Sequence, residues 1–488
     1  MKLLVMGFDC AAPELLFGDE ELVHLRRLMD SGCYGRLESV IPPITIPAWM
    51  CMATSRDPGS LGVYGFRNRE NWSYDALSTV NSKSFTDLAI WDQVARAGNR
   101  AHVIGVPPSY PPRKTSGYSV GCFLTPDTAA NIYTRPEKLA GEIRQLLGED
   151  YRVDVRGFRT DNKDWLKDEI HTMTRQHFQV IRHVMQTTEW DYLQFVEIGL
   201  DRMHHGFWKF QDVQHRQHVP GNPYQHVIRD YYRYLDAEIG SLLELLDEET
   251  AVLVLSDHGA QRLDGGFCVN EWLIQQGLLT LNQYPDKPTQ MSNLDVNWDR
   301  TVAWSEGGYY ARVFLNVKGR EPRGTINPED YERVRDDVKA RFEATMDDHG
   351  KPMGTRVFKP QAIYRQVRNI APDLIVHFAD LYWRSVGKVG YRTFHVQEND
   401  TGPDDCNHAQ YGAFILAAPG NPFQGPMEKV RLLDLAPTLL ELGGYDMLPD
   451  AQGQSIISRA PQGSGPDGGM SATDQETIRQ RLSGLGYI

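Results

Sequence analysis

The chain is short of cysteine, of positive charge and of long apolar runs. Its six cysteines (Cys10, Cys33, Cys51, Cys122, Cys268 and Cys406) form no CxxC pair and no tight framework. Such spacing excludes a disulfide scaffold and predicts reduced, buried thiols in a reducing compartment. A net charge of −13 disfavours nucleic-acid polymers and anionic membranes as partners. It leaves an anionic substrate open, because bound divalent cations reverse a local field. No window approaches the ~20 apolar residues of a membrane span. The run before Asp9 holds one Lys and about seven apolar residues, short of the roughly 7–15-residue core plus cleavage site of an export signal. A cytoplasmic protein is expected. Internal repeats, a G-x-x-x-x-G-K-[ST] loop and a Rossmann fingerprint are all missing. So is the G-x-S-x-G elbow that a serine triad at Ser256-Asp257-His258 would need.

What is present is an alternation of strands and helices. Apolar residues make up 41% of the chain. Leu3–Phe8, Cys33–Ser39, Ala101–Val106, 192–197, 251–256 and Gly412–Ala417 read as strands. Glu20–Asp30, Ile46–Ser55, Leu88–Ala97 and Leu433–Leu442 read as helices. Two longer helices carry apolar stripes at 3–4 spacing: Leu166, Ile170, Met173, Val180, Ile181 and Val184, then Ile228, Tyr231, Leu235, Ile239, Leu242 and Leu246. Apolar strands between helices predict an α/β fold, doubly wound, with a mainly parallel sheet covered on both faces. From 267 to 399 the texture turns aromatic, charged and rich in Pro and Gly, with one helix from Pro328 to Thr345 and Asn327 as its N-cap. This stretch reads as an inserted α+β cap subdomain. The core then comprises 1–266 and 400–458, followed by a linker over 459–474 and a helical tail over 475–488.

The chemistry lies where the strands end. Asp257-His258 follows one apolar run and Asp9 another. Asp201 and His205 follow a third, and His408 precedes a fourth. Asp oxygen and His nitrogen suit Zn²⁺-type ions, which take about four or five ligands each. Two ions sharing bridging groups need about six or seven side chains, and these six come close. The Asp201–His205 spacing puts both groups on one face of a helical turn. Each residue alone is weak, since a strand-end Asp is more often a cap; together, all at strand termini, they point to a two-metal hydrolase. Thr45, in Pro42-Pro43-Ile44-Thr45-Ile46-Pro47, puts a hydroxyl where a helix begins and where an anion is favoured. It is the candidate nucleophile, against the plainer role of helix cap; Cys51 and Ser55 are the rivals.

This order of motifs (Asp9, Thr45-x-Pro47, Asp201-x-x-x-His205, Asp257-His258-Gly259 and His408-x-x-x-Gly412) resembles the alkaline phosphatase superfamily. It is most similar to the type I phosphodiesterase/nucleotide pyrophosphatase branch and its predicted prokaryotic phosphohydrolases. The resemblance covers most of 1–455 and extends to Asp434–Thr438 and to the tail motif Arg481–Tyr487. It implies two divalent ions, Zn²⁺ with Mn²⁺ as the alternative. Asp201, His205 and His408 would hold one; Asp9, Asp257 and His258 would hold the other, with Thr45 beside it. It implies attack by Thr45 on a small-molecule phosphoester, a phospho-threonine, and its hydrolysis by water. The alternatives are a phosphomonoesterase, a phosphomutase-like phosphotransferase, and a non-catalytic metal-binding relative; a homo-oligomer is left open.

Three departures bear on substrate. Trp49 stands where the sulfatase pattern has Arg. His204 stands where the nucleotide pyrophosphatases have Gly. Phe66 stands at the slot of their phosphate-contacting Asn, with Arg67 and Asn68 just beyond as substitutes. Lys318 and Arg320 are further substrate candidates from the cap stretch. Tyr309, Tyr310, Trp383 and Arg384 form aromatic–cationic clusters that could stack on or clamp an organic group, although ordinary packing is the stronger expectation for each.

Overall fold

A computed structural model of the chain describes residues 1–420 and 423–458. The expected linker, the expected tail and the Arg481–Tyr487 motif lie outside those residues. The elements that position the site are strands β1 (Leu3–Phe8), β2 (Cys33–Glu38), β3 (Ala101–Ile104), β4 (Tyr192–Glu197), β5 (Ala251–Leu255), β6 (Gly259–Arg262), β7 (Cys406–Ala409) and β8 (Tyr411–Ala417). The helices are α1 (Thr45–Thr54), α2 (Lys163–Thr187), α3 (Gly199–Gln211) and α4 (Val227–Leu243).

The central sheet runs β2-β8-β5-β1-β4-β3, with short strands extending both edges. β1 pairs parallel with β4 and β5, and β3 parallel with β4. Every residue of β1, β4 and β5 is buried, which is why β1 and β5 read as apolar runs rather than alternations, and β4 as a run interrupted by Gln194 and closed by Glu197. Helices cover both faces: one core cluster holds α2, α3 and α4 against the sheet, and the other holds α1 and the Leu435–Gly443 helix. The architecture is the doubly wound α/β fold read from the sequence.

The exception that sets the site is β8; the far-edge strand Thr134–Arg135 is also antiparallel to its neighbour. β8 runs antiparallel to both β5 and β2. The carboxyl ends of β1, β2, β4 and β5 therefore share one edge with the amino end of β8. A ligand after β1, β4 or β5, a loop after β2 and a ligand before β8 all arrive at the same place. The chain then doubles back at that edge: β6, directly after His258, pairs antiparallel with β7, which carries His408 opposite Ala260.

Residues 265–396 build a parallel-and-antiparallel sheet of three strands and an antiparallel sheet of four (Ala303–Glu306, Ala311–Leu315, Leu374–His377, Arg356–Phe358). They share a hydrophobic cluster that includes Phe267, Trp304, Phe342 and Phe378. The hairpin around Tyr74 grips this layer: the Tyr74 ring stacks on Trp298 at 3.5 Å, and its hydroxyl donates to Asn316 Oδ1 at 2.9 Å.

Some boundaries differ from expectation. A helix at Pro13–Gly18 precedes one at Val23–Ser31, where a single helix from Glu20 was read. Pro328 opens a 3₁₀ turn and the α-helix runs Tyr331–Glu343. Asn327 does not cap it; its amide donates to the Asp330 carboxylate, and its carbonyl accepts Lys318. Among the described residues, no helix is long and apolar enough to cross a membrane.

Candidate active site

Seven side chains named from the sequence meet at this edge. Asp9, Thr45, Asp201, His205, Asp257, His258 and His408 are each at most 3% exposed. Two groups offer ligand atoms within 4.8 Å of one another: Asp201 with His205 and His408, and Asp9 with Asp257 and His258. In the first, His205 Nε2 is 3.3 Å and His408 Nε2 3.7 Å from Asp201 Oδ1. In the second, His258 Nε2 is 3.2 Å from Asp257 Oδ2 and 3.5 Å from Asp9 Oδ1. The His258 and His408 rings stack at 3.8 Å, joining the two groups.

Thr45 lies in the first turn of α1, whose N-cap is Ile44, and that cap makes no side-chain hydrogen bond. Its hydroxyl instead faces His258 Nε2 at 3.3 Å and Asp9 Oδ1 at 3.5 Å. One turn on, Trp49 Nε1 donates to Asp9 Oδ2 at 2.8 Å. Ser256 accepts from Ala11 N and donates to His258 O, and Ser39 donates to Asp257 O. Both serines brace the backbone. Cys51 is buried within α1, and Ser55 donates to Leu433 O.

Each imidazole is oriented from behind. His205 Nδ1 meets Asp404 Oδ1 at 2.6 Å, His408 Nδ1 meets Pro43 O at 2.9 Å, and His258 Nδ1 meets Gly259 O at 3.2 Å. Acceptors at Nδ1 place the proton of the neutral ring there and turn the Nε2 lone pair into the cluster. His205 Nε2, His408 Nε2 and Asp257 Oδ2 are buried without a partner. Buried polar atoms are nearly always bonded, so three such atoms converging beside three carboxylates fit a set of metal ligands.

The electrostatics agree. Burial, then the Asp201 charge, holds the Asp9 carboxyl well above its usual range; burial, then Asp9, does the same to Asp257. Burial would also raise Asp201, but His205 and Arg202 overcome it and hold it well below. Burial pushes His258 down to about 4, and burial with His258 lowers His408. Burial would lower His205, yet the Asp404 carboxylate raises it. Packed carboxylates that repel one another favour a cation among them.

Around the cluster lie Asp404, Asp154, Arg159 and Arg202, which the sequence reading did not single out, together with Arg384, Tyr309 and His204, which it named. Asp404 accepts from Arg159, Arg384 and Asn399 as well as from His205. Arg202 pairs with both oxygens of Asp154 and donates to Asp201. Tyr309 stacks on His408 at 4.1 Å and accepts from Arg159. His204 is fully buried, and its Nδ1 meets Cys10 O at 3.0 Å. The doublet Asp404-Asp405, shortly before His408, was the available signal for Asp404.

The four substrate candidates are engaged elsewhere. Asn68 closes the turn at Gly62 and Tyr64, and Arg67 reaches Glu306. Lys318 donates to Asn327, while Arg320 joins Asp373 and Glu321. Among the described contacts, none of the four bonds to the Thr45 cluster.

The sequence profile described as type I phosphodiesterase / nucleotide pyrophosphatase matches residues 3–404, ending just short of His408. No curated protein sequence matches. Solved structures share the fold at low identity. Murine ectonucleotide pyrophosphatase/phosphodiesterase 5 aligns at 15% identity and a TM-score of 0.52, over 92% of this chain and 96% of its own. An inactive threonine-to-alanine form of that protein, in complex with AMP, aligns at 13% and 0.51 over the same shares. Phosphonoacetate hydrolase from Sinorhizobium meliloti, in complex with phosphonoformate, aligns at 14% and 0.59, over 90% and 95%. With the profile spanning most of its length, this chain belongs to the type I phosphodiesterase/nucleotide pyrophosphatase family and is a phosphoric ester hydrolase on the alkaline phosphatase fold.

Proposed function

We propose that the protein hydrolyses small-molecule phosphodiesters, with the Thr45 hydroxyl as nucleophile, at a centre for two divalent ions. The observation that carries this reading is the Thr45 hydroxyl, free of any capping role and lodged between Asp9 and His258. Asp201, His205 and His408 would hold one ion, and Asp9, Asp257, His258 and Thr45 the other. Bound there, the ions supply Lewis acidity and make a hydroxyl acidic enough to react near neutral pH. Imidazole and carboxylate donors suit Zn²⁺, with Mn²⁺ as the alternative.

The chain's own residues do the positioning. Asp9 and His258 hold the Thr45 oxygen, and the Thr45 and Ile46 amides at the start of α1, where Pro47 has none to offer, favour an anion near that helix end. Trp49 fixes the Asp9 carboxylate from behind. The family resemblance adds the order of bond changes: Thr45 Oγ1 bonds to phosphorus as the leaving alcohol departs, and water then cleaves the phospho-threonine. The inactive threonine-to-alanine form of the murine protein is consistent with that role.

A diester is favoured over a monoester by the arginines. Arg202, Arg159 and Arg384 are each paired with Asp154, Asp201 or Asp404. Each of these guanidiniums already donates to an internal carboxylate rather than standing open as a clamp for the second negative charge of a monoester. The 267–399 stretch acts as a cap, contributing Tyr309 to the wall over His408.

T45A should keep its metal content and lose at least about a thousandfold in turnover of bis-p-nitrophenyl phosphate, as nucleophile removal does elsewhere. EDTA should inactivate the wild type, and Zn²⁺ or Mn²⁺ should restore it. Full activity in T45A moves the nucleophile elsewhere. Faster turnover of p-nitrophenyl phosphate than of the diester reverses the substrate class.

A further inference from the structure

Cys10 is not among the ligands assigned above, yet it stands at the floor of both groups. It directly follows Asp9 and holds a backbone φ of +69°, in the left-handed region that favours glycine. A side chain retained there is worth explaining. The thiol is fully buried; it makes a weak contact to Gly259 O at 3.4 Å and also meets the Cys406 thiol. Its Sγ and a ring nitrogen from each of His258 and His408 all lie within 4.8 Å of one another. The two rings are stacked, and His408 Nε2 is buried without a partner.

We propose that Cys10, His258 and His408 form a third cation site, one that takes thiophilic ions such as Cd²⁺ or excess Zn²⁺ and inhibits the enzyme. Sulfur with two imidazoles selects soft and borderline ions and gives Mg²⁺ or Mn²⁺ little to bind. Binding replaces the thiol proton: Cys10–SH and M²⁺ give a sulfur–metal bond, and the proton leaves to solvent. The site borrows His408 from the Asp201 group and His258 from the Asp9 group. An ion there and the two-ion arrangement therefore exclude one another. The inhibition rests on the two-ion reading above; the existence of the site does not.

Metal-free protein titrated with Cd²⁺ should develop a thiolate-to-cadmium charge-transfer band in the ultraviolet. C10S should lose that band, while C406S, which removes the neighbouring thiol beside His205, should keep it. Reloaded with its activating metal, C10S should turn over diester like the wild type. It should need at least about tenfold more Cd²⁺ for half-inhibition, the low end of what losing even a residue that supports a metal ligand costs. If C10S folds poorly, C10G suits the backbone angle and serves in its place. A wild type without the band, or a band that survives in C10S and C10G, overturns the site. A Cys10-dependent band with unchanged Cd²⁺ inhibition overturns its inhibitory role. A wild type with no diesterase activity refutes the Thr45 reading, and the band still decides the cation site.

Discussion

The carboxylate of Asp404 accepts the Nδ1–H of His205 at 2.6 Å, and neither side chain is exposed to solvent. Burial alone would raise this carboxyl; the charges of His205 and Arg159 overcome that and hold it well below its ordinary value. Asp404 thus sets the orientation and the basicity of the His205 ring, a proposed metal ligand. D404N keeps the shape and loses the charge. Its metal affinity should fall about 10–100-fold, as for other carboxylates behind metal-bound histidines. Metal-buffer titration measures it, and turnover should recover at saturating metal. An unchanged affinity would reduce Asp404 to an ordinary buried ion-pair partner.

Trp49 ties the helix of Thr45, the proposed nucleophile, to the first strand. Its ring lies against Gly7, where an added Cβ would stand 2.4 Å from the indole, and its N–H reaches Asp9 Oδ2. W49F keeps most of the packing and leaves a buried carboxylate one donor short, at about 1–3 kcal/mol. Since that carboxylate also faces Thr45, turnover should fall about tenfold or more with little change in KM. A rise in KM alone would place Trp49 among the substrate contacts instead.

The sequence carried much of this, for a physical reason. Strands buried on both faces appear as mostly apolar runs, so their ends, and the Asp and His just past them, are visible without a structure. What it could not show depends on pairing between distant segments. His408 was expected to sit just ahead of the strand at Gly412; it lies within a separate short strand whose register against Gly259–Arg262 brings it over His258. Asp404 gains its role from the same pairing. For Arg320 the difficulty is reversed, because an arginine bound for a phosphate and one bound for an internal carboxylate look alike until burial is known.

Arg320 makes that distinction testable. Its guanidinium forms two bonds to Asp373, with further bonds to Glu321 and to Leu315 O. R320M keeps the aliphatic stem and leaves Asp373 without its guanidinium, while Glu321 keeps Arg69. Removing one partner of such a network costs about 3 kcal/mol, and the denaturation midpoint should fall accordingly. KM for a diester should stay within about twofold of wild type if the side chain serves only the fold. A large rise in KM with unchanged stability would return Arg320 to the substrate.

His377 supplies a pH dependence remote from the Thr45 cluster. It lies 1% exposed on the four-stranded sheet, edge-on to Phe358, with Nε2 unpartnered. Burial, then the Arg356 guanidinium, pushes it down to about 3. The unfolded chain has an ordinary imidazole near 6.5. Between those values the unfolded state binds a proton that the folded state refuses, so stability falls as pH drops through about 6.5 toward 3. Linkage puts this one residue at about 2 kcal/mol by pH 5. His102, lowered to about 4 by burial, adds in the same direction. H377F keeps a ring against Phe358 and removes the titration. Its loss of stability between pH 7.5 and 5, measured by denaturant unfolding, should be smaller than that of wild type by about that amount. Equal losses in the two proteins would mean that His377 is already protonated inside the fold.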